Sequence, residues 1–207
     1  MREPVVLFGA GSAVIVEVEE SCRRLGRPVA AIVQNTADPT WAQDSSLVVP
    51  LDGLDSRLFE YDVLVPLFRP ANRRTAVAQV RQLGVRRFAS VLDPTSILPA
   101  HLGLGEGIYI NAGCVIGACS ELGPFAFVNR GCSLGHHLSL GEFVSLGPGV
   151  VIAGQVTIGA GAMIGAGAVL LPKITVGADA VVAAGVVVSR DVPAGAVLRA
   201  TGQPTQA

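Results

Sequence analysis

The chain has 207 residues, half of them hydrophobic, yet only 5% aromatic and 15% charged, with 25 glycines and a formal net charge of −1. That charge excludes the basic footprint of a nucleic-acid-binding surface, and the apolar composition excludes a disordered chain. No secretion signal is expected at the start, because Glu3 comes early and Gly9 and Gly11 interrupt the first apolar run.

Pro4–Phe8 reads as a short strand, followed by a turn at Gly9, Ala10, Gly11 and Ser12. Ala13–Leu25 has helical character, with Gly26 as its stop. Val29–Val33 is a second strand and Tyr61–Pro66 a third. Pro70 opens a helix through Leu83 that ends at Gly84, and Arg87–Val91 is a last strand. Alternating strands and helices predict a small Rossmann-like α/β unit over residues 1–91, built on a parallel sheet. The Gly9 to Ser12 turn follows a strand and opens a helix, as a phosphate cradle does. Val14 stands where a dinucleotide fingerprint has its third glycine, and no acid closes the second strand, so bound NAD is not expected.

Composition changes near residue 91. Residues 1–91 hold 21 charged residues and 5 glycines, whereas residues 92–207 hold 10 and 20. The second part is a repeat. Stepping by six from Leu98 to Val188 meets sixteen residues, and all sixteen are Leu, Ile or Val. The next position is Gly in nine of the sixteen. Four places after the aliphatic the residue is usually small, as at Cys114, Ala126, Cys132 and Ala168. A strict six-residue period means a two-residue strand and a corner, and three such sides close a triangular coil. The aliphatics are expected to point inward and stack coil on coil at about 4.8 Å, and the following glycine is expected to turn the corner. The expected architecture is a left-handed parallel β-helix of hexapeptide repeats over residues 92–192, with a tail at 193–207. Gly149 to Pro172 carries no charge, but it keeps the six-residue period, so membrane insertion is not expected.

The four cysteines form no C-x-x-C pair, which predicts free thiols in the cytoplasm. Cys114 and Cys132 fall on the small inward position and read as packing. The three histidines are His101, His136 and His137. The last two stand two and three places after Leu134, facing out of the coil, where the scaffold does not demand them. They are either exposed surface residues or a general base. His101 lies 35 residues before His136 with no carboxylate or thiol suitably placed, so no metal site is expected.

Several further features carry a resemblance: the Gly9 to Ser12 opening, the Asn72 and Arg73 pair, and the Asp93 to Ser96 entry into the coil. So do Asn129 seven residues before His136, Leu140 to Phe143, Gly147 to Gly149, and Ala153 with Gly154. Over nearly its whole length the chain resembles the bacterial sugar acetyltransferases, the group of sialic acid O-acetyltransferase and the amino-sugar-nucleotide N-acetyltransferases. The resemblance implies a homotrimer that uses acetyl-CoA as co-substrate and acetylates a sugar or nucleotide-sugar acceptor by direct attack. It implies His136 as the base, Asn129 as a group that positions the base or the acceptor, and His137 where the family usually has a carboxylate. Ser145 replaces a histidine that contacts acetyl-CoA, and Gly154, Ala166 and Ala184 match further acetyl-CoA positions. Gly11, Ser12, Ala13, Gln34 and Asn35 match the positions that hold the acceptor's nucleotide. A non-nucleotide acceptor and a trimeric binding or scaffold protein without turnover are the alternative readings. The unbroken repeat leaves no long loop to build a site, so acceptor specificity is expected from the N-terminal unit or a neighbouring subunit.

Overall fold

The computed structural model describes residues 3–199. In the N-terminal unit β1 (Val5–Phe8), β2 (Val29–Gln34), β3 (Val48–Pro50) and β4 (Asp62–Leu64) form a parallel sheet in the order β3-β2-β1-β4. Helix α1 (Ile15–Leu25) connects β1 to β2, and α2 (Pro70–Gln82) follows β4. Strand β1 is apolar at every position because both of its faces are covered. Ile15, Val18 and Cys22 of α1, one helical stripe, pack with Val5 and Leu7 on one side. Ala76, Val77 and Val80 of α2 pack with Val6 and Phe8 on the other. Gly26 ends α1 in the left-handed conformation, its N–H bonded to carbonyls of the last turn.

Two expectations fail here. Strand β3 is a three-residue edge strand, too short to leave a periodic signal. The strand expected at Arg87–Val91 is divided: Phe88 makes one bridge to Val63, while β5 (Val91–Leu92) pairs with Tyr109–Ile110 in the coil. The chain thus passes from one sheet to the other within three residues.

From β5 onward the chain winds through three parallel sheets, the faces of a triangular prism, consistent with a left-handed β-helix. Face one carries Tyr109–Ile110, Phe127–Val128 and Ser145–Leu146 and their successors. Face two carries Val115–Ile116, Ser133–Leu134 and Val151–Ile152. Face three carries Glu121–Leu122, Ser139–Leu140 and Thr157–Ile158. Each strand pairs with the one eighteen residues on, without insertion, up to Val188. Fourteen of the sixteen aliphatics are at most 4% exposed, and only Leu98 and Leu104, at the open first end, are not buried. The coil then shortens, because Leu198 pairs with Val182 and Val192 bridges Val176, each sixteen residues apart. Part of the expected tail therefore continues the coil through Leu198, and residues 200–207 lie outside the described residues.

The glycines have a different task from the one the repeat suggests. Corners are turned by the residue three places after the aliphatic, at φ +67° in Gly131 and Gly149 and +54° in His137. The glycine beside the aliphatic is required by stacking. A Cβ on Gly117 would lie 2.4 Å from the His136 nitrogen of the next coil, and one on Gly147 would lie 2.6 Å from that of Ala166.

The N-terminal unit covers face one and the edge between faces three and one. Outward-facing Tyr109, Phe127 and Ser145 are at most 1% exposed, while Val115, Val151 and Val187 of face two are 42–60% exposed. Arg74 pairs with Asp179 at 2.7 Å and Arg81 with Glu106 at 3.0 Å along that edge. Beside α1, Asp93 accepts hydrogen bonds from Ser21, Arg24 and Thr95. Burial pushes its carboxyl up, but the bonds from Arg24, Thr95 and Ser21 outweigh burial and hold it at about 2.

Candidate active site

Apart from Ser145, the residues singled out by sequence fall in two places, the edges of the prism and the top of the N-terminal sheet. On the edge between faces two and three, His136 and His137 are both exposed. The corner is pinned from the backbone, with Gln155 N–H bonded to His136 O and His137 N–H to Ala118 O. The two imidazoles meet Nδ1 to Nδ1 at 2.8 Å, with ring planes at 88°. One nitrogen donates and the other accepts, so a single proton lies between them. Gly154 sits beside His136 in the next coil. A Cβ there would lie 2.6 Å from His136 Cε1 and Nε2, so only glycine leaves room for the ring and for the nitrogen that does not face His137.

Asn129 stands on a different edge, between faces one and two. Its Oδ1 accepts from Asn111 Nδ2 at 3.1 Å and from Arg130 N–H at 2.8 Å, and no hydrogen bond joins it to His136 within the chain. Ala166 and Ala184 lie exposed on this same edge, eighteen residues apart. The expected coil residues are thus divided, with His136, His137 and Gly154 on one edge and Asn129, Ala166 and Ala184 on another.

Ser145 departs from the expectation of a thioester contact. It is 0% exposed, donates to Phe68 O and accepts from Arg73 Nη2 at 2.9 Å. The N-terminal unit seals it in, so it belongs to the junction between the two units. Arg73 is the centre of that junction. Its guanidinium donates to the carbonyls of Phe125, Leu67, Phe68, Phe143 and Val144 as well as to Ser145. Burial pulls it down to about 9, and the ring of oxygens holds the charged form at neutral pH.

The second place is a cavity of about 560 Å³ at the carboxyl ends of β1, β2 and β4. It opens where strand order reverses about β1, the usual position of ligand clefts in open α/β sheets. Gly11, Ser12 and Asn35, expected from sequence, line it. Ala13 does not line it, and Gln34 turns its amide to Asp38 O at 2.8 Å. The cavity adds Thr36, Asp38 and Arg69, and Asn72, Thr75 and Gln79 from one face of α2. Those three polar residues at helical spacing were the available signal. The Gly11 backbone passes so close to the β2 loop that a Cβ would lie 3.0 Å from Thr36 Oγ1. Among the described residues no cluster of three or more His, Cys, Asp or Glu is placed to hold a metal ion. No described helix is long and apolar enough to cross a membrane.

Repeat and prism define a hexapeptide-repeat protein, and comparison with known proteins agrees. The bacterial transferase hexapeptide (six repeats) family matches residues 137–171 and 155–190. A histidine-to-asparagine variant of perosamine N-acetyltransferase from Caulobacter crescentus, solved with CoA and GDP-perosamine, is 35% identical. The match covers 94% of this chain and 92% of that one, with a TM-score of 0.84. The acetyltransferase domain of PglB from Neisseria gonorrhoeae, solved with acetyl coenzyme A, is 26% identical over 94% of each chain, with a TM-score of 0.80. WeeI from Acinetobacter baumannii shares the fold, with a TM-score of 0.78 at 20% identity over 95% of this chain and 96% of that one. A search of curated proteins finds no match. The chain belongs to the family of acetyl-CoA-dependent bacterial sugar acetyltransferases.

Proposed function

We propose that the chain transfers the acetyl group of acetyl-CoA to an amino or hydroxyl group of a nucleotide-linked sugar, with His136 as general base. The observation that carries this reading is His136 itself. Its Nε2 stands free over Gly154 on an open edge of the coil, in a chain that matches, over 94% of its length, a perosamine N-acetyltransferase solved with CoA and GDP-perosamine. The acceptor's nucleophile gives its proton to Nε2 as it attacks the thioester carbonyl.

The cavity above β1 and β2 takes the nucleotide. It supplies donors and acceptors from Ser12, Asn35 and Asn72 and one cation, Arg69, for a phosphate. We assign residues 1–91 as a Rossmann-like acceptor-binding unit and the coil from residue 92 as the acyl-CoA unit, with the pantetheine arm along Gly154, Ala166 and Ala184. The protein works as a homotrimer with its sites between subunits. Three observations support this. The coil residues of the site lie on two different edges of one prism. The N-terminal cavity lies over face one, away from the His136 edge, so a second copy has to bring them together. The exposed aliphatics Val115, Val151 and Val187 on face two supply apolar surface for a neighbouring copy to cover. Four free cysteines fit a cytoplasmic location.

The test is thiol release from acetyl-CoA with three acceptor classes: GDP-linked amino sugars, UDP-linked amino sugars and free sugars. Turnover with a nucleotide-linked acceptor supports the reading. Turnover only with free sugars overturns the nucleotide assignment, and none with any of them overturns the activity.

A further inference from the structure

The position next to the base holds the feature that the scaffold and the acceptor do not explain. His137 shares the exposed corner with His136, and its Nδ1 lies 2.8 Å from Nδ1 of His136. An imidazole can accept the proton and also keep it. We infer that His136 and His137 act as one proton-sharing dyad, with His137 the positioning residue that sets the tautomer of the base and takes up half of the charge formed on it. The inference rests on His136 being the base.

The contact allows two arrangements of one proton. When His136 Nδ1–H donates to His137 Nδ1, the His136 Nε2 carries a free lone pair and can act as base. When His137 donates instead, His136 bears its proton on Nε2 and cannot act. Catalysis runs through the first arrangement. As the acceptor's nitrogen or oxygen bonds to the acetyl carbon, its proton passes to His136 Nε2. The dyad then carries one positive charge, and the Nδ1 proton lies between two chemically alike nitrogens, so both rings share it. The C–S bond breaks with its electron pair on the coenzyme A sulfur, and that sulfur takes the proton from His136 Nε2. Acceptor, thiol and dyad are then neutral, and the proton between the two Nδ1 atoms has never left. Perpendicular rings at 88° let the His137 lone pair point at the His136 Nδ1–H while the Nε2 atoms of both rings stay clear of each other.

The full chain, uniformly labelled with nitrogen-15 and without substrate, tests this by long-range proton–nitrogen correlation of the imidazoles. The expected spectrum has a protonated Nδ1 on His136, an unprotonated Nδ1 on His137, and a low-field proton between them. That proton should vanish in His137→Phe and persist in His101→Gln. His136 found with its proton on Nε2 alone, or an unchanged spectrum in His137→Phe, overturns the dyad. Kinetics give the second readout. His137→Phe should lower kcat on the order of 10²-fold, as expected when the group that fixes a base's tautomer is lost, with the KM for acetyl-CoA unchanged. His137→Asn, whose side chain tolerates the left-handed corner and offers an acceptor oxygen, should recover most of that loss. If His137→Phe keeps its kcat while His136→Ala is inactive, the dyad falls and the base stands. If His136→Ala is active, the base assignment falls as well.

Discussion

Replacing Arg73 by methionine removes the centre of the junction between the two units. The side chain is 1% exposed and six oxygens accept from it. Its five N–H groups serve these six oxygens, Nη2 sharing two hydrogens among three of them, and at roughly 1.5–3 kcal/mol per bond from a charged donor they are worth at least about 7.5 kcal/mol. Against this stands the cost of taking the cation out of water. Burial that lowers a guanidinium to about 9 corresponds to roughly 5 kcal/mol. The difference predicts a loss of about 2.5 kcal/mol or more in Arg73→Met, which leaves buried carbonyls without donors. Urea unfolding followed by circular dichroism and by fluorescence of Trp41, the sole tryptophan, measures it. Trp41 reports on the N-terminal unit, which should loosen first. Arg73→Lys should lose nearly as much, since an ammonium keeps the charge but lacks the planar fork that reaches three segments at once. A loss below about 1 kcal/mol in Arg73→Met, or wild-type stability in Arg73→Lys, would refute the reasoning.

Acid should weaken the same junction on its other side. The Asp93 carboxyl is held at about 2, below its ordinary value, so its contribution is present above about pH 4 and is lost as pH falls toward 2. The expected loss is about 2.5 kcal/mol, absent in Asp93→Asn when unfolding is followed from pH 5 to pH 2. Gly154→Ala should push the His136 ring from its place and cut kcat on the order of 10²-fold, with the melting temperature nearly unchanged, because the displaced atoms are the tip of a side chain. Wild-type kcat in that variant would separate Gly154 from the site. Light scattering should report about three times the 21.2 kDa chain mass, and Val151→Asp on the exposed second face should lower it. A wild-type monomer that keeps its activity would contradict the shared site.

Legibility followed periodicity. The six-residue period located Ile110 through Val188 because every coil repeats the same burial, and the structure keeps that register without a slip. Helix α1 was readable because Gly26 and a buried stripe mark it. The reason for the glycines was not readable, since stacking against the next coil and turning a corner both demand small residues, and only coordinates separate Gly117 from Gly131. At the candidate site, sequence spacing brought His136 and His137 forward, but it could not tell that the two rings meet at Nδ1. Ser145 misled because its burial comes from an element more than seventy residues earlier in the chain, Phe68 and Arg73. The cavity was half legible. Gly11, Ser12 and Asn35 came from the resemblance to the acetyltransferase family, whereas Asp38 and Arg69 sit in loops without a pattern.

The account turns on one nitrogen, Nε2 of His136. Initial rates of acetyl transfer from acetyl-CoA to a GDP-linked amino sugar, compared between wild type and His136→Ala, test it most directly. Loss of a general base predicts a kcat lower by about 10²–10⁴-fold, with acetyl-CoA binding by calorimetry unchanged. A His136→Ala enzyme that turns over at the wild-type rate would contradict the account.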